Sequence, residues 1–303
     1  MKNYLLIILL LCAGAYNGYG QKKQPSDYHL QKAIDLMQNN GDEKEVMECL
    51  DQQLQETPDN ADARVVRATL YLKQKKYGNA LSDMNLAIKY YKKGGIFPKY
   101  TIYWGRARAY YDMEDFDKAL ADYDTAYKLV LKDKKGTTDI YDILYERAQI
   151  YYDLKDYANA DADYWQMLKH DEADQVAMIG LIRNMIARKE YDKALEAFQT
   201  ALDQGAEQTQ ELYNLTAVCA MKTEDYAKAL ECFQAGIALA ESKTGDDKTK
   251  ADTALLQEME YNVIVCYEQQ ADWENAKSAM KQYQADFPED DSVSKEAEFL
   301  QTR

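Results

Sequence analysis

Six times along the chain an apolar run with helical spacing is closed by a short polar turn, and an aromatic residue then precedes alanine by three places. The runs end at Tyr71, Tyr110, Tyr151, Met185, Ala220 and Tyr267. The aromatics are Tyr77, Phe116, Tyr157, Tyr191, Tyr226 and Trp273. The alanines are Ala80, Ala119, Ala160, Ala194, Ala229 and Ala276. Apolar residues recurring every three or four places give a helix one face that seeks a core. Each copy therefore predicts two helices, the first carrying the apolar run and the second starting at the aromatic. A lone helix pair cannot bury its apolar face, so the copies must stack. No alternating run of Val, Ile and Thr asks for a strand, and only four prolines interrupt the chain.

A longer phrase is written three times. It begins RATLYLKQKKYGNALSDMNLAI at Arg67, RARAYYDMEDFDKALADYDTAY at Arg106 and RAQIYYDLKDYANADADYWQML at Arg147. Asp83, Asp122 and Asp163 each stand at one fixed distance after the arginine. In the later copies the two places change together, to Leu181 and Ala197, Thr216 and Cys232, Val263 and Ala279. Paired change from charged to uncharged predicts structural ion pairs, Arg67 with Asp83, Arg106 with Asp122 and Arg147 with Asp163. Each would cross its helix hairpin or reach the adjoining unit. Arginine suits the task because its planar fork meets a carboxylate with two hydrogen bonds.

The pattern resembles the tetratricopeptide (TPR) repeat, a helix–turn–helix unit of 34 residues. That family places a small residue at the eighth position, an aromatic at the seventeenth and alanine at the twentieth. The eighth positions here are Ala68, Ala107, Ala148 and Ala217, with Ile182 and Ile264 as departures. The twenty-seventh are Ala87, Ala126, Ala201 and Gly236, against the larger Met167 and Tyr283. Pro58 and Pro288 stand where the family often ends its second helix. A degenerate first unit begins at Asp27, with Glu43 in place of the aromatic. Further units begin at Ala61, Tyr100, Tyr141, Gln175, Gln210 and Gln257. The resemblance implies an all-α, right-handed superhelical solenoid of about seven units, with residues 291–303 starting a capping helix. Insertions at KYYKKGGIFPK, KDKKGTTDI and ESKTGDDKTKADTA lengthen second helices or loops, and Gly94, Gly95 and Pro98 mark a helix stop.

The resemblance also implies a function. Such arrays bind peptides or proteins in a concave groove lined by the first helices. The groove positions hold Trp104, Arg108 and Tyr111, then Tyr145, Gln149 and Tyr152, then Ile179 and Arg183. Aromatics with arginine are residue types enriched at binding hot spots. Their competing role is to fill gaps between neighbouring helices. An alternative on the same fold is a carbohydrate or peptidoglycan-fragment binder whose tyrosines stack on sugar.

Composition narrows the partner. The 52 acidic residues outnumber the 37 basic ones, for a net charge of −15, which argues against nucleic acid. The first twenty residues, MKNYLLIILLLCAGAYNGYG, have one lysine, an apolar run from Leu5 to Leu11, then small and polar residues. That is the layout of a secretory signal peptide, leaving residues 21–303 as the repeat domain, periplasmic or secreted. Cys12 after the apolar run offers a lipoprotein alternative, in which membrane contact is through a lipid anchor. In an exported protein Cys49, Cys219, Cys232 and Cys266 meet an oxidising compartment, but their spacing suits neither a CxxC motif nor metal, and they read as small buried apolar residues. No phosphate loop, nucleophile elbow or metalloprotease motif occurs. His29 and His170 stand in no constellation. The expectation is a non-enzymatic scaffold without cofactor or metal.

Overall fold

The computed structural model describes residues 27–133, 137–171, 174–203, 205–242 and 250–303. The N-terminal leader, with Cys12, lies outside them. Among the described residues the chain is helical throughout and divides into two compact units, one ending at Leu154 and one starting at Lys155. The first holds α1 (Tyr28–Gln38), α2 (Glu43–Glu56), α3 (Ala61–Lys73), α4 (Tyr77–Tyr90), α5 (Lys99–Asp112), α6 (Phe116–Val130) and α7 (Thr137–Asp153). The second holds α8 (Tyr157–His170), α9 (Gln175–Ala187), α10 (Tyr191–Asp203), α11 (Gln210–Lys222), α12 (Tyr226–Ser242), α13 (Lys250–Gln269), α14 (Trp273–Asp286) and α15 (Ser294–Gln301). The fold is an all-α helical repeat solenoid. Within each unit, helices adjacent in sequence pack together, and first helices of consecutive repeats also touch.

The repeated letters act through size and backbone geometry. Every second helix whose repeat carries the aromatic starts at it. The alanines three places later are sealed off, as are Ala68, Ala107, Ala148 and Ala217. A side chain of one carbon lets helix axes come within 8–10 Å of each other. Gly180 shows the limit: a Cβ there would lie 2.3 Å from the ring of Tyr164, itself fully buried in α8.

The turns share one conformation. Asn40, Lys75, Glu114, Lys155, Lys189, Glu224 and Ala271 all have φ between 53° and 62°, the left-handed region that L-residues enter at a cost. Around Glu114, its own N–H donates to the Tyr111 carbonyl and the Asp115 N–H to the Tyr110 carbonyl, both at 2.9 Å. This pair of bonds ends a helix by satisfying its last carbonyls. Asp115, Asp156, Asp225 and Asp272 then cap the following helix, accepting the N–H three residues on.

The first insertion folds back on the repeats. After Gly94, at φ 99°, the N–H groups of Ile96 and Phe97 donate to the Asp62 carboxylate at 3.0 and 3.1 Å. Phe97 is buried in the core of the first unit. The later insertions lengthen first helices as well as a second one: α7 starts at Thr137, α12 runs on to Ser242 and α13 spans 20 residues. Residues 134–136 and 243–249 of these insertions lie outside the described residues.

Candidate functional site

Two arginines form three-helix clamps. Arg67 donates from Nε to Asp83 Oδ2 at 2.7 Å and from Nη2 to Oδ1 at 2.8 Å, while Nη1 reaches Asp51 of α2 at 2.7 Å. Arg64 adds a bond to Asp83 at 3.0 Å. Arg106 repeats the scheme. Its Nε and Nη2 meet Asp122 at 2.6 and 2.7 Å, and Nη1 meets Asn85 of α4 at 2.6 Å. Both aspartates are buried. One fork thus ties a first helix to its own second helix and to the second helix of the repeat before. Arg147 of the first unit sends Nη1 to Asp124 of α6 at 2.5 Å. Asp163 is buried in the second unit. The geometry of the Arg67 and Arg106 groups is that of a joint between helices.

The groove positions divide in the same way. Trp104 is only 3% exposed, and its Nε1 donates to Glu146 Oε2 at 2.6 Å. Arg108 lies 4.4 Å over the Trp104 ring and donates from Nε to both Glu146 oxygens at 2.9 Å and from Nη2 to Oε1. Tyr123 Oη adds a bond at 3.0 Å. Trp104 and Arg108 therefore lock α5 to α7 through Glu146, a residue the sequence pattern did not single out. Tyr111 is half-buried, its ring 6.0 Å from that of Phe116. Burial, with Asp153 nearby, raises its hydroxyl pKa.

Tyr145 is the aromatic this face leaves open, at 37% exposure. Gln149 and Tyr152, further along α7, are half-buried. Asp142, one turn before Tyr145, is half-buried without a hydrogen bond or ion pair among the described residues. Burial first, and then the charge of Glu146, pushes its carboxyl pKa up. In the second unit Ile179 is half-buried and Arg183 is exposed, pairing with Glu211 of α11.

Groups with chemistry elsewhere are structural or at the surface. The thiols of Cys49, Cys219, Cys232 and Cys266 are free and buried, and burial holds those of Cys219 and Cys266 up to about 11. His29 lies 3.5 Å from Glu56, and His170 is exposed. Near the C-terminus, burial and then a hydrogen bond to Glu296 push the Glu268 carboxyl up to about 7. No helix among the described residues is long and apolar enough to cross a membrane.

The tetratricopeptide repeat model matches residues 105–168 and 186–243, two stretches whose helix pairs, buried alanines and turns are those described above. These are tetratricopeptide repeats. A TPR protein from Parabacteroides merdae is 21% identical with a TM-score of 0.57, over 93% of this chain and 100% of that one. The C-terminal part of a TPR repeat-containing protein from Cytophaga hutchinsonii is 17% identical with a TM-score of 0.70, over 88% of this chain and 98% of that one. PilW, a type IV pilus biogenesis factor, is 17% identical with a TM-score of 0.54, over 73% of this chain and 96% of that one. These likenesses are of fold. No curated protein matches the chain. TPR proteins are in general non-catalytic and bind proteins or peptides.

Proposed function

We propose that this TPR chain is a non-enzymatic scaffold of the cell envelope that holds a protein or peptide partner on the face of its first helices. The observation that carries the reading is the pair Asp142 and Tyr145 on α7. One is a half-buried carboxylate that makes no hydrogen bond or ion pair among the described residues and feels the Arg108 guanidinium only through its charge, the other an exposed aromatic. A carboxylate at a partly dry surface favours a cation that shares its burial, and tyrosine offers a rigid contact beside it. The partner segment is therefore one presenting lysine or arginine next to an apolar residue. Export rests on the N-terminal leader pattern, from Leu5 to Leu11 and the small residues after it.

The test is affinity capture from the envelope fraction, comparing the wild type with an Asp142→Asn/Tyr145→Ala variant that melts at the same temperature. A partner held by the wild type, lost by the variant and released by salt supports the reading. An unchanged set of captured proteins overturns it. Mass spectrometry of the mature N-terminus tests export: an intact Met1 in the cell-associated protein rules out cleavage.

A further inference from the structure

Where α8, α9 and α10 meet, the arginine clamp is missing and a cavity of about 690 Å³ stands in its place. The repeat register accounts for it. The places held by Asp51, Arg64, Arg67 and Asp83 at the joint of α2, α3 and α4 are held here by Trp165, Met178, Leu181 and Ala197. All four line the cavity. At the earlier joint a guanidinium fork spans the gap between the second helices. Leucine is shorter and cannot span it, and alanine opposite leaves room. The Trp165 ring is 58% exposed, an unusual cost for the largest apolar side chain.

The rim has a charge of its own. Lys169, near the end of α8, and Lys193, near the start of α10, both border the opening. Lys169 has no hydrogen bond or ion pair among the described residues, and Lys193 has one long contact, 3.5 Å to Glu190. Glu196 is the single acid of the lining. An excess of lysine at an apolar opening stands out on a chain with a net charge of −15. The volume falls in the range of small-ligand sites. At the next joint Thr216 and Cys232 occupy the places of Leu181 and Ala197, and both are buried. A site one joint long suits a compact ligand rather than an extended peptide.

We propose that this cavity binds a small amphiphile with an apolar tail and an anionic head, of the class of medium-chain carboxylates. The tail takes the apolar walls of Trp165, Met178 and Leu181, and the head takes the lysines at the rim. The site shares no residue with the Asp142–Tyr145 face, and its failure would leave that reading intact.

The test titrates the full chain with decanoate and with decanol, by calorimetry and by tryptophan emission. The expected result is one saturable decanoate site, with decanol bound about tenfold more weakly, a difference of about 1.4 kcal/mol. Lys169→Glu/Lys193→Glu should erase that preference. Leu181→Arg/Ala197→Asp rebuilds the clamp of the earlier joints and should abolish decanoate binding with helix content unchanged. Should that pair fail to fold, Ala197→Phe fills the same space with an apolar ring and should have the same effect. Absence of saturable decanoate binding to the wild type overturns the proposal. So does undiminished binding by a folded cavity-filling variant, or equal affinity for decanol.

Discussion

Arg106 and Asp122 face each other through two parallel hydrogen bonds of 2.6 and 2.7 Å, with the carboxylate buried between helices. Removing one partner strands the other charge in a dry joint. Arg106→Leu alone and Asp122→Ala alone should each cost about 3 kcal/mol. The double variant should cost at least about 1 kcal/mol less than their sum. Urea unfolding of the four proteins measures the coupling, and simple additivity would show that the pair is not a unit.

Glu114 holds φ at 59° in the turn between α5 and α6. Glycine enters this region without the clash a Cβ brings, and both turn bonds are made by backbone groups. Glu114→Gly should raise stability by about 0.5–1 kcal/mol. A fall in the thermal midpoint would mean that the glutamate side chain supplies more than the backbone loses.

Trp104 stands at one of the groove positions that the resemblance to TPR arrays implied, yet its ring is sealed against Glu146 and Arg108. Trp104→Ala should cost about 3–5 kcal/mol, as large core deletions do. Tyr145→Ala should cost under about 0.5 kcal/mol, as exposed substitutions do. Thermal denaturation distinguishes them. Equal losses would mean that Tyr145 is also part of the packing, and partner capture would then need another variant.

Glu268 in α13 is partly buried and shares a hydrogen bond with Glu296 of helix α15, and burial, then that bond, push its carboxyl up to about 7. A folded pKa above the unfolded value means the folded chain holds the proton more tightly. The stabilisation is complete below the unfolded pKa, near 4.5, and is lost as pH rises through about 7. Glu268→Gln should therefore flatten the pH dependence of stability between pH 5 and 8. The gain should be on the order of 1 kcal/mol at pH 8. Denaturation at both pH values checks it, and parallel curves for the two proteins would refute it.

Gly180 leaves room for the Tyr164 ring. Gly180→Ala puts a methyl group where neither helix can yield, and overpacking of this kind costs about 1–3 kcal/mol. A Gly180→Ala/Tyr164→Leu pair should recover part of the loss, which unfolding curves would show. No recovery would mean that α9 needs glycine for another reason.

Much of the scaffold was readable along the chain because it depends on local spacing. An aromatic at a fixed place starts each of the later second helices, and a small residue at a fixed place marks each close approach. The repeats supplied their own comparison, so the joint change at the arginine and aspartate places pointed to partners across a hairpin or in the adjoining unit, and Arg67 with Asp83 and Arg106 with Asp122 meet across their hairpins. The candidate site was less readable. A helical period tells which side of a helix a residue occupies, not how near the next helix comes. Trp104 and Tyr145 hold the same place in consecutive repeats, yet one is sealed and the other open. Trp104 is closed by Glu146, an acid in the neighbouring first helix. Phe97 looked like part of a surface insertion, but Asp62 draws its backbone in and the ring enters the core.

The sequence by itself determined the units, their order, their turns and the residues that let helices touch, because these follow from size, polarity and period. Tertiary structure alone decided what happens between repeats. It gave the third bond of Arg67 to Asp51 and of Arg106 to Asn85, it closed Trp104 over Glu146, and it left a cavity beside Leu181. Each is a contact or gap between helices set by how far a particular side chain reaches. Reach across a joint depends on the distance between two backbones, and no spacing along one chain records that distance.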